Sequence, residues 1–201
     1  VNAQNIEMDE GSSLSAGIGQ GLGTSESVAG DITLTATGEI VVSSGSGIRN
    51  LVREDSQGDG GNITIDAGSF KLQDAGLFKL QDGAQLLAST SGKGNAGNVT
   101  INAKDAIALT GNVDISSTLE AGAVGQGGNI NINAANLILQ DGAQIAASTR
   151  GQGNAGNVTI IGKDSVTSAS NSLVLSTVEA GAVGQGGNIN INAANLILRD
   201  S

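Results

Sequence analysis

Twenty residues at 120–139, EAGAVGQGGNININAANLIL, return unchanged at 179–198, a displacement of 59 residues. The segment GNAGNVTI at 94–101 returns at 153–160 with the same displacement. A chain that copies itself at a fixed long period folds as a stacked array, because each unit is too short to bury its own apolar face and must be covered by its neighbours. Each period divides again. The glycine that opens each Gly-Asn-(Ile/Val) or Gly-Asp-Ile segment falls at Gly30, Gly61, Gly97, Gly128, Gly156 and Gly187, with spacings of 31, 36, 31, 28 and 31. The interval of 36 holds a tandem copy within 70–85, FKLQDAGL at 70–77 followed by FKLQDGAQ at 78–85. Without those eight residues it shrinks to 28, so the unit alternates 31 and 28 and totals 59. The double unit is clearest over 94–201, and residues 1–201 read as a single repeat domain.

One unit can be laid out residue by residue. Asn129-Ile130-Asn131-Ile132-Asn133 alternates polar and apolar, the signature of a half-buried strand. An Ala-Ala corner leads to Leu137-Ile138-Leu139, and Asp141-Gly142 supplies a turn. Residues 143–149 make a third strand, and the glycine-rich stretch 150–155 loops back to the start. Three short strands and one longer corner loop describe one coil of an all-β, parallel β-helix (β-solenoid) of about six to seven coils. Stacked at about 4.8 Å, these coils span roughly 30 Å. No apolar i, i+3, i+4 stripe is sustained, and Asn, Gly and β-branched residues oppose helix.

Stacking predicts ladders. The first strand turns inward Ile32/Leu34, Ile63/Ile65, Val99/Ile101, Ile130/Ile132, Val158/Ile160 and Ile189/Ile191. The second contributes Phe70, Leu72, Ile107, Leu109, Leu137, Leu139, Leu196 and Leu198. Outside the first strand an outer polar ladder of Asp31, Asn62, Asn98, Asn129, Asn157 and Asn188 is in position to hydrogen-bond from coil to coil. Two places strain the pattern. The duplication at 70–85 predicts a protruding loop or widened corner. Between 161 and 177 the repeat thins, since Ser168 and Ser172 stand where the sister coil has Leu109 and Val113. That coil is predicted to shift register toward Leu173 and Leu175 and to pack least well.

Composition matters mainly for what it excludes. The chain has no Trp, Tyr, Pro, Cys or His and two Phe, so its core is thin layers of Ile, Val, Leu and Ala. Without His or Cys there is no Ser-His-Asp triad, no Cys-His pair, and no His- or thiolate-held zinc. A net charge of −10 with nine basic residues argues against nucleic acid and against anionic membrane surfaces. No apolar run approaches the roughly 20 residues of a membrane span. The outer carboxylates Asp31, Asp66, Asp114, Glu120 and Glu179 are candidates for acid–base pairing. Glu120 and Glu179, however, are copies of one repeat position, so neither catalytic, cofactor-binding nor metal-binding residues are assigned. GDGGN at 58–62 and GQGGN at 125–129 and 184–188 lack the closing Asp of the repeat-type calcium signature and read as turns. An ice-binding face would need regular Thr-x-Thr pairs, of which the first strand offers only Thr33-Leu34-Thr35.

The ends and flanks offer contact surfaces. Val1-Asn2-Ala3 aligns with Ile132-Asn133-Ala134, and Met8 aligns with Leu139, so the chain opens inside a first strand. It reads as a piece of a longer array with uncapped coils, or as a subunit whose ends join, with Val1, Ile6 and Met8 docking on Leu196 and Leu198 of a second copy. Ile138 and Ile197, at one outward position in alternate coils, form a possible lateral apolar stripe.

The repeat GNAGNVTI…GGNININAANLIL followed by (Q/R)D, with GAQIAAST after it in the 142–149 copy, resembles the stalk repeats of filamentous haemagglutinin-like exoproteins, including the large cyanobacterial members. The resemblance is strongest over 56–201 and weaker over 1–55. It implies a right-handed parallel β-helix secreted by a two-partner system to the bacterial cell surface or extracellular matrix, where such proteins act as adhesins, toxin carriers or matrix fibres. The Asn-Pro motifs of the family's secretion domain are missing, as this chain has no proline. The function expected from it is a structural or adhesive stalk without catalysis, or alternatively a self-assembling filament. Its partners would be neighbouring coils, identical subunits, or surface and matrix glycans or proteins.

Overall fold

A computed structural model describes residues 1–68 and 77–199. Among the described residues there is no helix, and every strand pairing is parallel. The chain is a β-solenoid of about six turns. The first-strand register runs Ile32, Ile63, Val99, Ile130, Val158, Ile189 and beside it Leu34, Ile65, Ile101, Ile132, Ile160, Ile191, as the alternating pattern predicts. In the middle coils these rungs are almost fully buried, whereas Ile189 and Ile191 in the last coil are 43% and 36% exposed. Each buried Ile, Leu or Val contributes about 1.5–3 kcal/mol, so the core draws its strength from stacking depth rather than from aromatic bulk.

The second ladder is Ile6/Met8, Ile40/Val42, Phe78/Leu80, Ile107/Leu109, Leu137/Leu139, Val166/Ser168 and Leu196/Leu198. The place expected for Phe70 and Leu72 is filled instead by the second tandem copy, Phe78 and Leu80, both fully buried. Phe70 and Leu72 lie outside the described residues, as do residues 70–76 of the duplication expected to protrude, while Leu77–Gln81 of it form a strand. Ile63 and Phe78 keep the register of their neighbours on either side.

Three features differ from the expected coil. In the later coils the first two strands run on as one, at Ile130–Gln140, Val158–Ser168 and Ile189–Leu198, through an Ala-Ala corner in the first and third and a bulged corner in the second. The glycine-rich return is not an irregular loop: Gln57, Lys93, Val124, Gln152 and Val183 form a column of parallel bridges. Nor does the thinned coil shift register toward Leu173 and Leu175. Val174 pairs with Ile145 in the core column, and Leu173 points outward at 49% exposure. The irregularity goes to the corner, where 162–165 bulges against 134–136. Ser168 and Ser172 satisfy each other with a 2.8 Å hydrogen bond in the space their leucine and valine counterparts would fill.

The alternation of 31 and 28 also has a location. Between bridge columns the corner loop runs from Leu119 to Val124 and from Val178 to Val183 in long coils, but only from Thr149 to Gln152 in the short one. Two of the three additional residues sit there, and the third lies at the first corner. Each of the first six coils turns after its second strand through two consecutive residues of positive φ, including Ser44-Gly45, Asp82-Gly83, Asp141-Gly142 and Ser170-Asn171. Asn, Asp and Gly tolerate this conformation best.

Candidate functional site

The motif Gly-x-(Ala/Gly)-Gly-Asn, at 58–62, 94–98, 125–129, 153–157 and 184–188, makes the corner where coils touch most closely. Its last residue forms the expected outer ladder. The amide or carboxylate oxygen of each member accepts the backbone N–H of the next: Asp31 from Asn62 at 2.7 Å, Asn62 from Asn98 at 3.0 Å, and Asn98 from Asn129 at 2.8 Å. Asn129 accepts from Asn157 and Asn157 from Asn188, each at 2.8 Å. A second ladder, not read from the sequence, uses the second residue of the same motif. Asp59, Asn95, Gln126 and Asn154 accept the N–H of Asn95, Gln126, Asn154 and Gln185. The signal was present, since that position is always Asp, Asn or Gln, but the mixture of side-chain lengths hid it.

These side chains replace backbone acceptors that the turning chain has carried out of reach. The glycines explain why the chain must turn there. A Cβ on Gly97, Gly128, Gly156 or Gly187 would collide with the carbonyl oxygen of the equivalent glycine one coil below. Gly94, Gly125, Gly153 and Gly184 form a second column with the same restriction. Ser117 and Ser176 cap two of these glycine carbonyls from within the coil, at 2.6 and 2.7 Å. Replacing Asn129 with Ala leaves the N–H of Asn157 to water and is expected to cost about 1 kcal/mol. Hydrogen exchange at the Asn157 amide, faster in the variant, checks this.

The other notable surface is a groove of about 620 Å³ between the third strands and the corner loop, lined by residues of five successive coils from Gln20 to Arg150. Its floor is hydroxyl-rich: Ser116 bonds Thr118 at 2.8 Å, and Ser89 accepts the N–H of Thr118 at 3.1 Å. Arg150 lies at one wall and reaches both neighbouring coils, to Glu179 at 2.9 Å and Glu120 at 3.1 Å. The two glutamates thus share one arginine as their ion-pair partner. Asp114 faces the groove from the row that holds Gln85 and Gln144 in the adjacent coils. Its Oδ1 is buried and has no hydrogen-bond partner. Burial pushes its carboxyl up to about 6; Arg150 opposes this and Glu120 adds to it. Asp31 belongs to the Asn ladder, and Asp66 accepts from Asn102 at 2.8 Å.

The proposed contact residues separate into two sets. Ile6 and Met8 are the first rung of the second ladder and Leu196 and Leu198 the last, with Val1, Leu196 and Leu198 exposed. Ile138 and Ile197 do share a row, but Thr167 stands between them. Ile138 is 38% exposed and Ile197 half-buried, so the row is not a continuous apolar stripe. Among the described residues, no group of three or more acidic side chains is placed to hold a metal ion. No helix there is long and apolar enough to cross a membrane. Comparison with family models, curated proteins and solved structures gives no match.

Proposed function

We propose that this chain is a length of secreted, non-catalytic stalk, structural or adhesive, of the filamentous haemagglutinin-like kind. The observation that carries this reading is the continuity of the stack. Two polar ladders and two glycine columns run through successive coils without interruption by a separate domain. Such a column transmits length and stiffness, because each coil is held by backbone pairing, side-chain ladders and a shared core at once. The absence of cysteine suits it, since the ladders leave little for disulfides to add. Its place outside the bacterial cell follows from the resemblance of the repeats. A protein carrying ten further tandem copies of the 59-residue unit is expected to appear in negative stain as rods about 100 Å longer than the parent at unchanged width, two steps of about 4.8 Å per unit. Compact globules would overturn it.

A second reading, a filament joined end to end, is favoured by one observation: the two ends of a single apolar ladder, Ile6/Met8 and Leu196/Leu198, are its least covered rungs. A second copy set on that edge continues the same column. Long unbranched fibres that vanish in a Leu196→Lys/Leu198→Lys variant are the expected result of this reading, and isolated rods at all concentrations would exclude it.

A further inference from the structure

The repeat makes departures from it informative. Residues 84–101 and 143–160 are copies that differ at four positions. One pair, Leu86 and Ile145, is in the core. The pairs Leu87/Ala146 and Ser91/Arg150 line the groove, and Lys93 of the last pair lines an adjoining hollow with Ser91. Asp114, also in the groove, has Leu173 as its counterpart 59 residues on. A scaffold needs none of these changes, and one of them leaves a buried carboxylate oxygen unpartnered. Copies that stay aliphatic in the core and identical in the ladders but change residue type along one concave surface mark that surface as the place where a specific ligand is met.

We propose that the groove binds a linear, uncharged oligosaccharide lying along the solenoid axis, with Asp114, Gln144, Ser89, Ser116 and Thr118 hydrogen-bonding its hydroxyls. Among aliphatic residues such as Leu51 and Leu87, the lining carries hydroxyl, amide and carboxylate groups that pair with sugar hydroxyls. The groove crosses five coils, so the same row recurs about every 4.8 Å, close to the length of one sugar unit in an extended chain. Two arginines face three carboxylates in the lining, and Arg150 is already held by two glutamates, one of them outside the groove. A polyanion would therefore meet little free positive charge and a chain of net charge −10. This inference rests on the adhesive form of the stalk reading and names its ligand class and its place.

The test uses the whole chain and a panel of neutral linear hexasaccharides: β-1,4-glucan, β-1,4-xylan, α-1,4-glucan and β-1,4-linked N-acetylglucosamine. Oligoguluronate serves as the acidic comparison. At least one neutral hexasaccharide is expected to shift the backbone amides of Ser89, Ser116, Thr118 and Gln144 in NMR titrations, and its disaccharide to bind about tenfold more weakly. Asp114→Leu and Arg150→Ser restore residues that the repeat itself carries at those places, so both variants keep the fold. Asp114→Leu is expected to weaken binding about tenfold, as expected when a hydrogen bond to a charged group is lost. Thr100→Lys, on the outer face of the first strands, leaves binding unchanged. The idea fails if no neutral sugar moves the groove amides, if Asp114→Leu binds as the parent does, or if oligoguluronate binds more tightly. Rods seen by imaging alongside such a failure would remove the groove and leave the stalk.

Discussion

Gly128→Ala is expected to destabilise the solenoid by about 3 kcal/mol, at the upper end of the cost of overpacking. The added methyl would meet the carbonyl oxygen of Gly97 and the Ser117 hydroxyl that bonds to it. A flexible side chain could move aside, but a backbone carbonyl fixed between two coils cannot. Relief would require separating the coils, which breaks the Asn98–Asn129 rung and loosens the Val99–Ile130 pair together. Gly30 is the internal control, because a Cβ there meets nothing and its φ is not in the left-handed region. Gly30→Ala is expected to be neutral or to stabilise by up to about 1 kcal/mol through the unfolded chain. Urea melts of the two variants compare them directly. Equal midpoints would mean that the glycine columns reflect repetition of sequence and not a steric requirement.

Asp114→Asn is expected to stabilise the protein at neutral pH and to lose that advantage in acid. The carboxyl titrates near 6 in the fold against an ordinary value of 3.8, chiefly because burial disfavours the charged form. As pH rises through 3.8 the unfolded chain releases this proton first and gains relative to the fold. The penalty therefore grows between about pH 4 and pH 6 and is constant above, at about 3 kcal/mol. Asparagine has a similar shape without the charge, so it escapes the penalty above about pH 6, while below about pH 4 both proteins carry a neutral side chain. Melts of both proteins in mildly alkaline and in acidic buffer should show the gain only in the former. A gain of the same size in both would place its origin outside the charging of Asp114.

These two residues also show how far the sequence could be read. The period, the alternation along Ile130–Gln140 and the Asn-x-Thr positions were enough to place the first ladder rung by rung, because a period of two leaves each side chain only two faces. The Asn62 to Asn188 ladder followed from the same register. The groove did not. Asp114 lies in a third strand and Arg150, 36 residues on, in the corner loop of the next coil, so no local pattern joins them. Their common surface exists because the third strands meet the corner loop at a concave angle. The tandem copy was equally ambiguous: either FKL could have entered the core by sequence, and only pairing with Ile40 and Ile107 selects Phe78.

Repetition by itself determined that the chain is a parallel β-solenoid, its coil lengths, its inward residues and one of its two polar ladders. These depend on spacing alone, and equal spacing forces equivalent residues into register. Tertiary structure decided what depends on the shape between registers. Those features are the second amide ladder, the fusion of the first two strands in the later coils, the seat of the extra loop residues and the groove where the copies diverge. Their common physical reason is that the distance of closest approach between coils, and the angle at which faces meet, are set by backbone packing across the stack and by no single stretch of chain.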